Sequence, residues 1–220
     1  MMLFGRKLDR YTLWLVPKYL WYFARVFILF KRPWQVIWAY LRACSPPGNV
    51  VELRNGLRIL LSDHPHDIIT VFVIFVRRDY GTVAANGVAV DVGANIGVFS
   101  LFAAHAGARR VIAYEPNSKA YEMLQRNIRE NNLQEIIIPR HEAVASKSGE
   151  EVWIPTDASA YNSISTDPTQ GAERVLTTSL AGIVDEVTQI DLLKLDCEGS
   201  EYDILLNSSS DLLSHVGTIR

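Results

Sequence analysis

From residue 88 onward, short apolar runs alternate with amphipathic stretches. "VAVDV" reads as a strand buried on both faces, "IGVFSLFAAHA" as a helix and "RRVIAYE" as a second strand. In "NSKAYEMLQRNIRENN" the apolar positions Tyr121, Leu124 and Ile128 fall at three- and four-residue steps, with Asn117 placed to cap the helix they predict. "QEIIIPRHEAVA" reads as a third strand and its exit. "QIDLLKLDCEGSEYDILL" is a further strand passing into a helix, and "HVGTIR" looks like the opening of one more strand. Strands that alternate with helices form βαβ units, so the expectation is an α/β domain with a doubly wound, mostly parallel, Rossmann-like sheet.

The pattern differs on either side. "SPPGN" at 45–49 breaks the chain, which predicts a helical extension over 1–45 and a domain over 46–220. "VVELRNGLRILLS" holds two short runs around Asn55-Gly56, the signal of a hairpin with a type I′ turn. "HPHDIITVFVIFVRRDYG" is long enough for a helix with Asp67 at its N-cap; His64 and His66 around Pro65 are either a metal pair or a solvated turn. Residues 150–178, with "EVWIP", polar turns and "RVLTTSL", read as an inserted hairpin or loop region.

Charge changes the picture of the N-terminus. Residues 1–45 hold eight Lys/Arg against one Asp, so a total of -2 leaves the remainder at about -9. An acidic domain argues against a nucleic-acid partner. Twelve of the 22 aromatics lie in those first 45 residues, Trp14, Trp21, Trp34 and Trp38 among them. Lys18, Arg25, Lys31 and Arg32 interrupt every window before about 18 uncharged residues accumulate, which argues against a membrane span. No signal-peptide pattern is present. Trp and Tyr among Lys and Arg suit a helix at the headgroup level of an anionic membrane, giving peripheral contact through residues 1–45. An amphipathic extension packed on the domain or on a partner chain is the alternative. Two cysteines, Cys44 and Cys197, make neither a disulfide framework nor a metal site and suit a reduced, cytoplasmic setting.

The candidate chemistry gathers at the carboxyl ends of the expected strands, where ligands of open α/β sheets bind. Asp91, Gly93 and Gly97 form D-x-G-x-x-x-G, a turn that brings backbone close to a ligand ahead of a helix N-terminus. Asn95 stands where a dinucleotide fingerprint needs its second glycine, and Asp91 would repel a pyrophosphate, which counts against a nicotinamide oxidoreductase. The same acid suits the ammonium and sulfonium of S-adenosylmethionine. Glu115 ends the next strand, where a carboxylate accepts ribose hydroxyls, and Glu142 at the third strand's exit is placed for an adenine amino group. Their neighbours Ala94, Pro116, Asn117 and Ala143 complete the expected cofactor set, against the alternative of acids that merely cap helices or face solvent.

At the far strand, Asp196 closes "IDLLKLD" and is the candidate catalytic base; with Glu198 and Glu201 it could instead hold a divalent cation, while those two glutamates could equally just open the next helix. Lys194 shares a strand face with Asp196 and is placed to pair with an acid. Cys197 reads as a small buried residue beside the site. Tyr80, Tyr161, Asn162 and Ser163 are either acceptor contacts or ordinary surface turns.

"VDVGANIGVFSLFAA", "VIAYEPNSKAYEMLQRNI" and "LLKLDCEGSEYDIL" resemble the three signature blocks of the FkbM-type methyltransferases, over about residues 50 to 220. The resemblance implies a class I, S-adenosylmethionine-dependent fold that O-methylates a hydroxyl of a sugar, glycan or related metabolite. It also implies a cofactor site lined by Asp91, Gly93, Asn95, Gly97, Glu115 and Asn117. A class I sheet ends in an antiparallel hairpin, which this chain, stopping near the fifth strand, is expected to lack, leaving an unpaired edge. A catalytically silent binding or scaffold module of the same fold at a membrane is the rival reading.

Overall fold

A computed structural model describes residues 2–3, 6–7, 10–156, 171–197 and 199–220, with side chains from residue 17 onward. The chain forms two compact units, Met1–Asp79 and Tyr80–Arg220.

The first unit opens with a short antiparallel pair, β1 (Met2–Leu3) and β2 (Arg6–Lys7), followed by helices α1 (Arg10–Leu29) and α2 (Pro33–Arg42). Pro33 starts α2, where its missing N–H costs nothing. Strands β3 (Val50–Glu52) and β4 (Arg58–Leu60) form the expected hairpin. Its turn is different. Gly56 alone has a positive φ, +99°, and Leu53 N–H donates to Leu57 O at 2.8 Å, so three residues rather than two make the connection. A type I′ turn needs positive φ at Asn55 as well; Asn55 instead accepts from Leu57 N–H through its side chain.

This hairpin closes the end of α1. Arg54 donates from its backbone to Leu29 O at 2.8 Å and from Nε to Phe27 O at 3.0 Å, satisfying carbonyls that a helix C-terminus leaves open. Phe30 bridges Leu53. The structural boundary therefore falls after Asp79 and not at the proline break, because the hairpin belongs to the aromatic helices.

Helix α3 (His66–Val71) runs into a π-helical turn, Phe72–Arg77, as the long apolar run predicts. Asp67 is not its N-cap. It lies inside the first turn, 3% exposed, and accepts from Ser62 N–H and Ser62 Oγ, both at 2.6 Å. His64 and His66 meet edge to face at 4.9 Å.

The second unit carries the parallel sheet. Its order is β11 (Leu192–Leu195), β5 (Val88–Val92), β6 (Arg110–Tyr114), β7 (Ile137–Arg140), all parallel. Every residue of β5 is buried, as a central strand covered on both faces requires. Helix α4 (Val98–His105) connects β5 to β6 and is buried from Val98 to Ala104. Helix α5 (Ser118–Glu130) connects β6 to β7, with Leu124 and Ile128 inward and Asn117 Oδ1 accepting from Ala120 N–H at 3.1 Å as its cap. The last residues run beside β11: Leu193 N–H donates to Thr218 O and Arg220 N–H to Leu193 O.

The expected third-strand exit is a separate element. Strand β8 (Ala143–Ala145) leaves the main sheet and pairs in parallel with β10 (Ala172–Ser179), which also pairs antiparallel with β9 (Glu151–Pro155). That hairpin is the expected insert. Helix α6 (Leu180–Val187), capped by Ser179, has no counterpart among the predicted elements; α7 (Glu201–Leu206) and the short α8 (Ser210–Ser214) follow β11.

Candidate functional site

The chain builds its sheet outward from β5 to β6 and β7, then returns to β5's other side with β11. Strand order reverses there, so a crevice opens at the carboxyl ends of β5 and β11. Two loops meet in it. Gly93 follows β5 with φ +72°, and a Cβ on it would lie 2.0 Å from Asp196 O, so a side chain cannot be accommodated. Asp196 N–H in turn donates to Val92 O at 3.2 Å.

Asp91 does not face a ligand as expected. It is fully buried, with Oδ1 accepting from Lys194 Nζ at 2.9 Å and Oδ2 from Ser100 Oγ at 2.6 Å. Both oxygens are committed within the protein, and Asp91 acts as the counter-ion of Lys194. Lys194 also donates to Gly93 O at 2.9 Å and lies 3.7 Å from Asp196 Oδ2. Burial works to lower its pKa, but the charges of Asp91 and Asp196 and the Asp91 hydrogen bond outweigh it and raise the pKa. Lys194 is thus a fixed cation, tying the Gly93 turn to the end of β11 and lying 5.7 Å from the Tyr80 ring and 6.0 Å from that of Phe99.

Asp196 is the accessible acid of this group, its side chain 49% exposed. Tyr80 Oη donates to its Oδ2 at 2.8 Å, and Oδ1 makes no hydrogen bond among the described residues. Tyr80 itself is braced edge-on by Phe99 at 5.7 Å. Glu201 turns back on its own loop, accepting from Cys197 N–H and Gly199 N–H, both at 2.8 Å. That binding holds the loop's shape and engages both of its oxygens. Cys197 is half-buried, its thiol pushed up to about 12 chiefly by burial. Glu198, Tyr161, Asn162 and Ser163 lie outside the described residues, among which no group of three His, Cys, Asp or Glu is arranged to hold a metal.

Glu115 lies at the end of β6, 7% exposed, and spans two loops: Oε2 accepts from Asn95 N–H at 2.6 Å and Oε1 from Asn117 N–H at 2.9 Å. Asn95, in the left-handed region at φ +50°, directs its amide across from the β5 turn. Burial raises the Glu115 pKa to about 7, although both amides and Lys194 oppose the shift. Two amides therefore leave this carboxylate short of donors. Gly97 opens α4, and a Cβ there would come 2.5 Å from Leu124 Cδ1. Ala94 donates to Tyr114 O, and Pro116 O contacts His141 Nε2 at 2.9 Å; the His141 ring stacks on Tyr121. Glu142 is half-buried between β7 and β8, close enough for its charge to act on Tyr114. Ala143 is buried in the small sheet's core, away from a strand-end position in the main sheet, because β8 has left that sheet.

Residues 91–219 match the family described as the methyltransferase FkbM domain, more than half of the chain. The chain belongs to the FkbM methyltransferase family. The family's cofactor is S-adenosylmethionine. The FkbM residues present fit it on the chemistry of the Glu115 carboxylate, a buried acid with only two amide donors that could accept further hydroxyls of the kind a ribose offers.

Relatives by sequence include ribosomal protein L11 methyltransferases of Bacillus cereus, 30% identical, and Bacillus cytotoxicus, 29% identical, each over 46% of this chain. The chain spans 30% of their length. Among solved structures, the methyltransferase FkbM from Methylobacillus flagellatus is 15% identical with a TM-score of 0.43, covering 94% of this chain and 48% of that one. The tRNA methyltransferase of M. jannaschii is 27% identical over 44% of this chain and 31% of that one, with a TM-score of 0.32.

Tyr80 carries a hydrogen bond to Asp196 that no local motif announces, and Ser100 holds Asp91 from within an apolar helix. Ser100 is the one hydroxyl in "VFSLFAAH", a signal that points inward only once α4 is known to be buried all round.

Proposed function

We propose that this chain transfers a methyl group from S-adenosylmethionine to a hydroxyl of a sugar, glycan or related metabolite, with Asp196 as the base. The observation that carries this reading is Asp196 itself. It is a half-exposed carboxylate at the sheet's switch point, held through one oxygen by Tyr80 and beside the fixed cation Lys194.

When bound, S-adenosylmethionine supplies an electrophilic methyl on a sulfonium. Glu115 would accept the ribose hydroxyls, and the turn through Asn95 and Gly97 would bring backbone close to the nucleoside. Asp196 would accept the proton of the acceptor hydroxyl on Oδ1, leaving the oxygen ready for the methyl that the bound cofactor would supply. Tyr80 and Lys194 hold the carboxylate in place for that transfer. Positioning and general-base help each lower the barrier, the second typically by about 10²–10⁴-fold.

Asp196→Asn tests the assignment. Calorimetric titration should show S-adenosylmethionine bound as by the unaltered chain, while transfer of labelled methyl to a hydroxyl panel falls about 10²–10⁴-fold. Equal transfer by the variant would remove Asp196 from the chemistry. Cofactor binding by the unaltered chain with no methylated acceptor would favour the silent module.

A further inference from the structure

Helices α1 and α2 each present two apolar faces, and the first unit's core uses only one of them. In α1, Tyr22 and Val26 are buried, and Phe30, one residue past its end, continues the four-residue step and is buried too. A second stripe, Leu20, Trp21, Ala24, Phe27 and Ile28, follows the same helical period and is exposed, Leu20 at 64% and Trp21 at 59%. In α2, Val36, Ile37 and Ala39 face inward while Trp34, Trp38 and Leu41 are exposed, Trp34 at 71%. Phe27 meets Trp34 edge-on at 5.0 Å, which joins the two stripes into one patch. Seven of the eleven exposed large hydrophobics among the described residues lie on these two helices. Grouping of this kind marks an interaction surface.

The charge around the patch has one sign. No Asp or Glu occurs from residue 10 to residue 51, whereas Lys18, Lys31, Arg32 and Arg42 are exposed. Arg42 lies over the Trp38 ring at 4.1 Å. A cleft of about 240 Å³ opens at the first turn of α2, lined by Arg32, Gln35 and Arg58. Its acid, Glu52, pairs with Arg58 at 3.2 Å and Lys31 at 3.7 Å, so the surroundings keep an excess of positive charge.

We propose that this face docks on an anionic lipid bilayer. Leu20, Phe27 and Ile28 enter the boundary of the acyl region, and Trp21, Trp34 and Trp38 lie at the headgroup level. Lys31, Arg32 and Arg42 meet lipid phosphates. Charge decides against the other occupants. A second copy would bring the same cations against themselves across a two-fold axis. A protein partner would have to supply every counter-charge, which an anionic bilayer presents at any point of its surface. The inference is independent of methyl transfer: it rests on the first unit alone.

Co-sedimentation of the full chain with vesicles tests it. Vesicles of equal parts phosphatidylcholine and phosphatidylglycerol should pellet the chain at least about tenfold better than phosphatidylcholine alone, and added salt should weaken the preference. Trp34→Gln with Trp38→Gln should lower binding to the anionic vesicles about tenfold, with far-ultraviolet circular dichroism unchanged. Both side chains are exposed, so the fold does not depend on them. Binding unchanged in the double variant, or indifferent to lipid charge, overturns the proposal. So does a dimer in sedimentation velocity that the double variant abolishes while no vesicle binds.

Discussion

Two buried acids at adjacent strand ends are held in opposite ways, and their substitutions separate cleanly. Glu115 is buried among amides and has its pKa raised from 4.5 to about 7. The folded chain therefore holds a proton there more tightly than the unfolded chain. Its stabilising contribution is full below about 4.5 and is lost as pH rises through about 7, roughly 3 kcal/mol for a shift of that size. Urea titrations across this window should show stability falling with pH, and Glu115→Gln should flatten the slope. Cofactor affinity should run the other way on the proposed reading, in which the carboxylate accepts ribose hydroxyls: binding weakens below about pH 7 and releases a proton, which calorimetry in buffers of different ionisation enthalpy reads directly. Asp91 and Lys194 form a matched buried pair. Lys194→Met strands a buried carboxylate and should cost about 3–5 kcal/mol by urea unfolding, while adding Asp91→Asn should recover part of that loss. Neither partner's role is visible locally, because the two residues lie far apart in the chain and only the β5–β11 register sets Lys194 opposite Asp91.

At the scale of elements, the loop after β5 depends on what lies across from it. Gly93 faces the Asp196 carbonyl so closely that an added methyl must displace one loop or the other. Gly93→Ala should therefore lower S-adenosylmethionine affinity at least about tenfold, and cost on the order of 1–3 kcal/mol of stability from steric conflict and positive-φ strain. Unchanged affinity by calorimetry would mean that the crevice tolerates the shift. The helices and strands of the main sheet were legible because their periods are long and their caps conventional, as with Asn117 before α5. The departures occur where context overrides local preference. Asn55-Gly56 makes a three-residue connection because Leu53 and Leu57 pair. The run after Arg140 changes sheets because β10 is available to it. Helix α6 follows the insert without a break in composition, so nothing local announces it.

At the scale of the molecule, the strand order places the slowest motions at the crevice. β5 is buried along its length between β11 and β6, whereas β9 pairs with β10 alone. Hydrogen exchange should find the most protected amides in β5 and β6 and much faster exchange in β9, by at least about a hundredfold. Comparable rates would mean that the two sheets open together. Such a gradient sets the acids at the strand ends on the most rigid part of the second unit. In the first unit, the aromatic helices and the hairpin share a core built around Val26, Phe30, Leu53 and Ile59.

Apolar period, glycine turns and strand-end acids were enough to determine the α/β class and the parallel sheet, because each depends on residues close together in the chain, and three sequence blocks carried the resemblance to the FkbM family. Which acid faces the crevice was decided by tertiary structure. Asp91, Glu115 and Asp196 all end strands, yet Asp91 is neutralised inside by Lys194 and Ser100, Glu115 is shared between two loops, and Asp196 alone keeps an oxygen without a hydrogen bond among the described residues. The difference lies in partners that only folding brings together. The same holds for the aromatic N-terminus: composition showed a basic and aromatic segment, and packing determined which of its faces is buried and which is exposed.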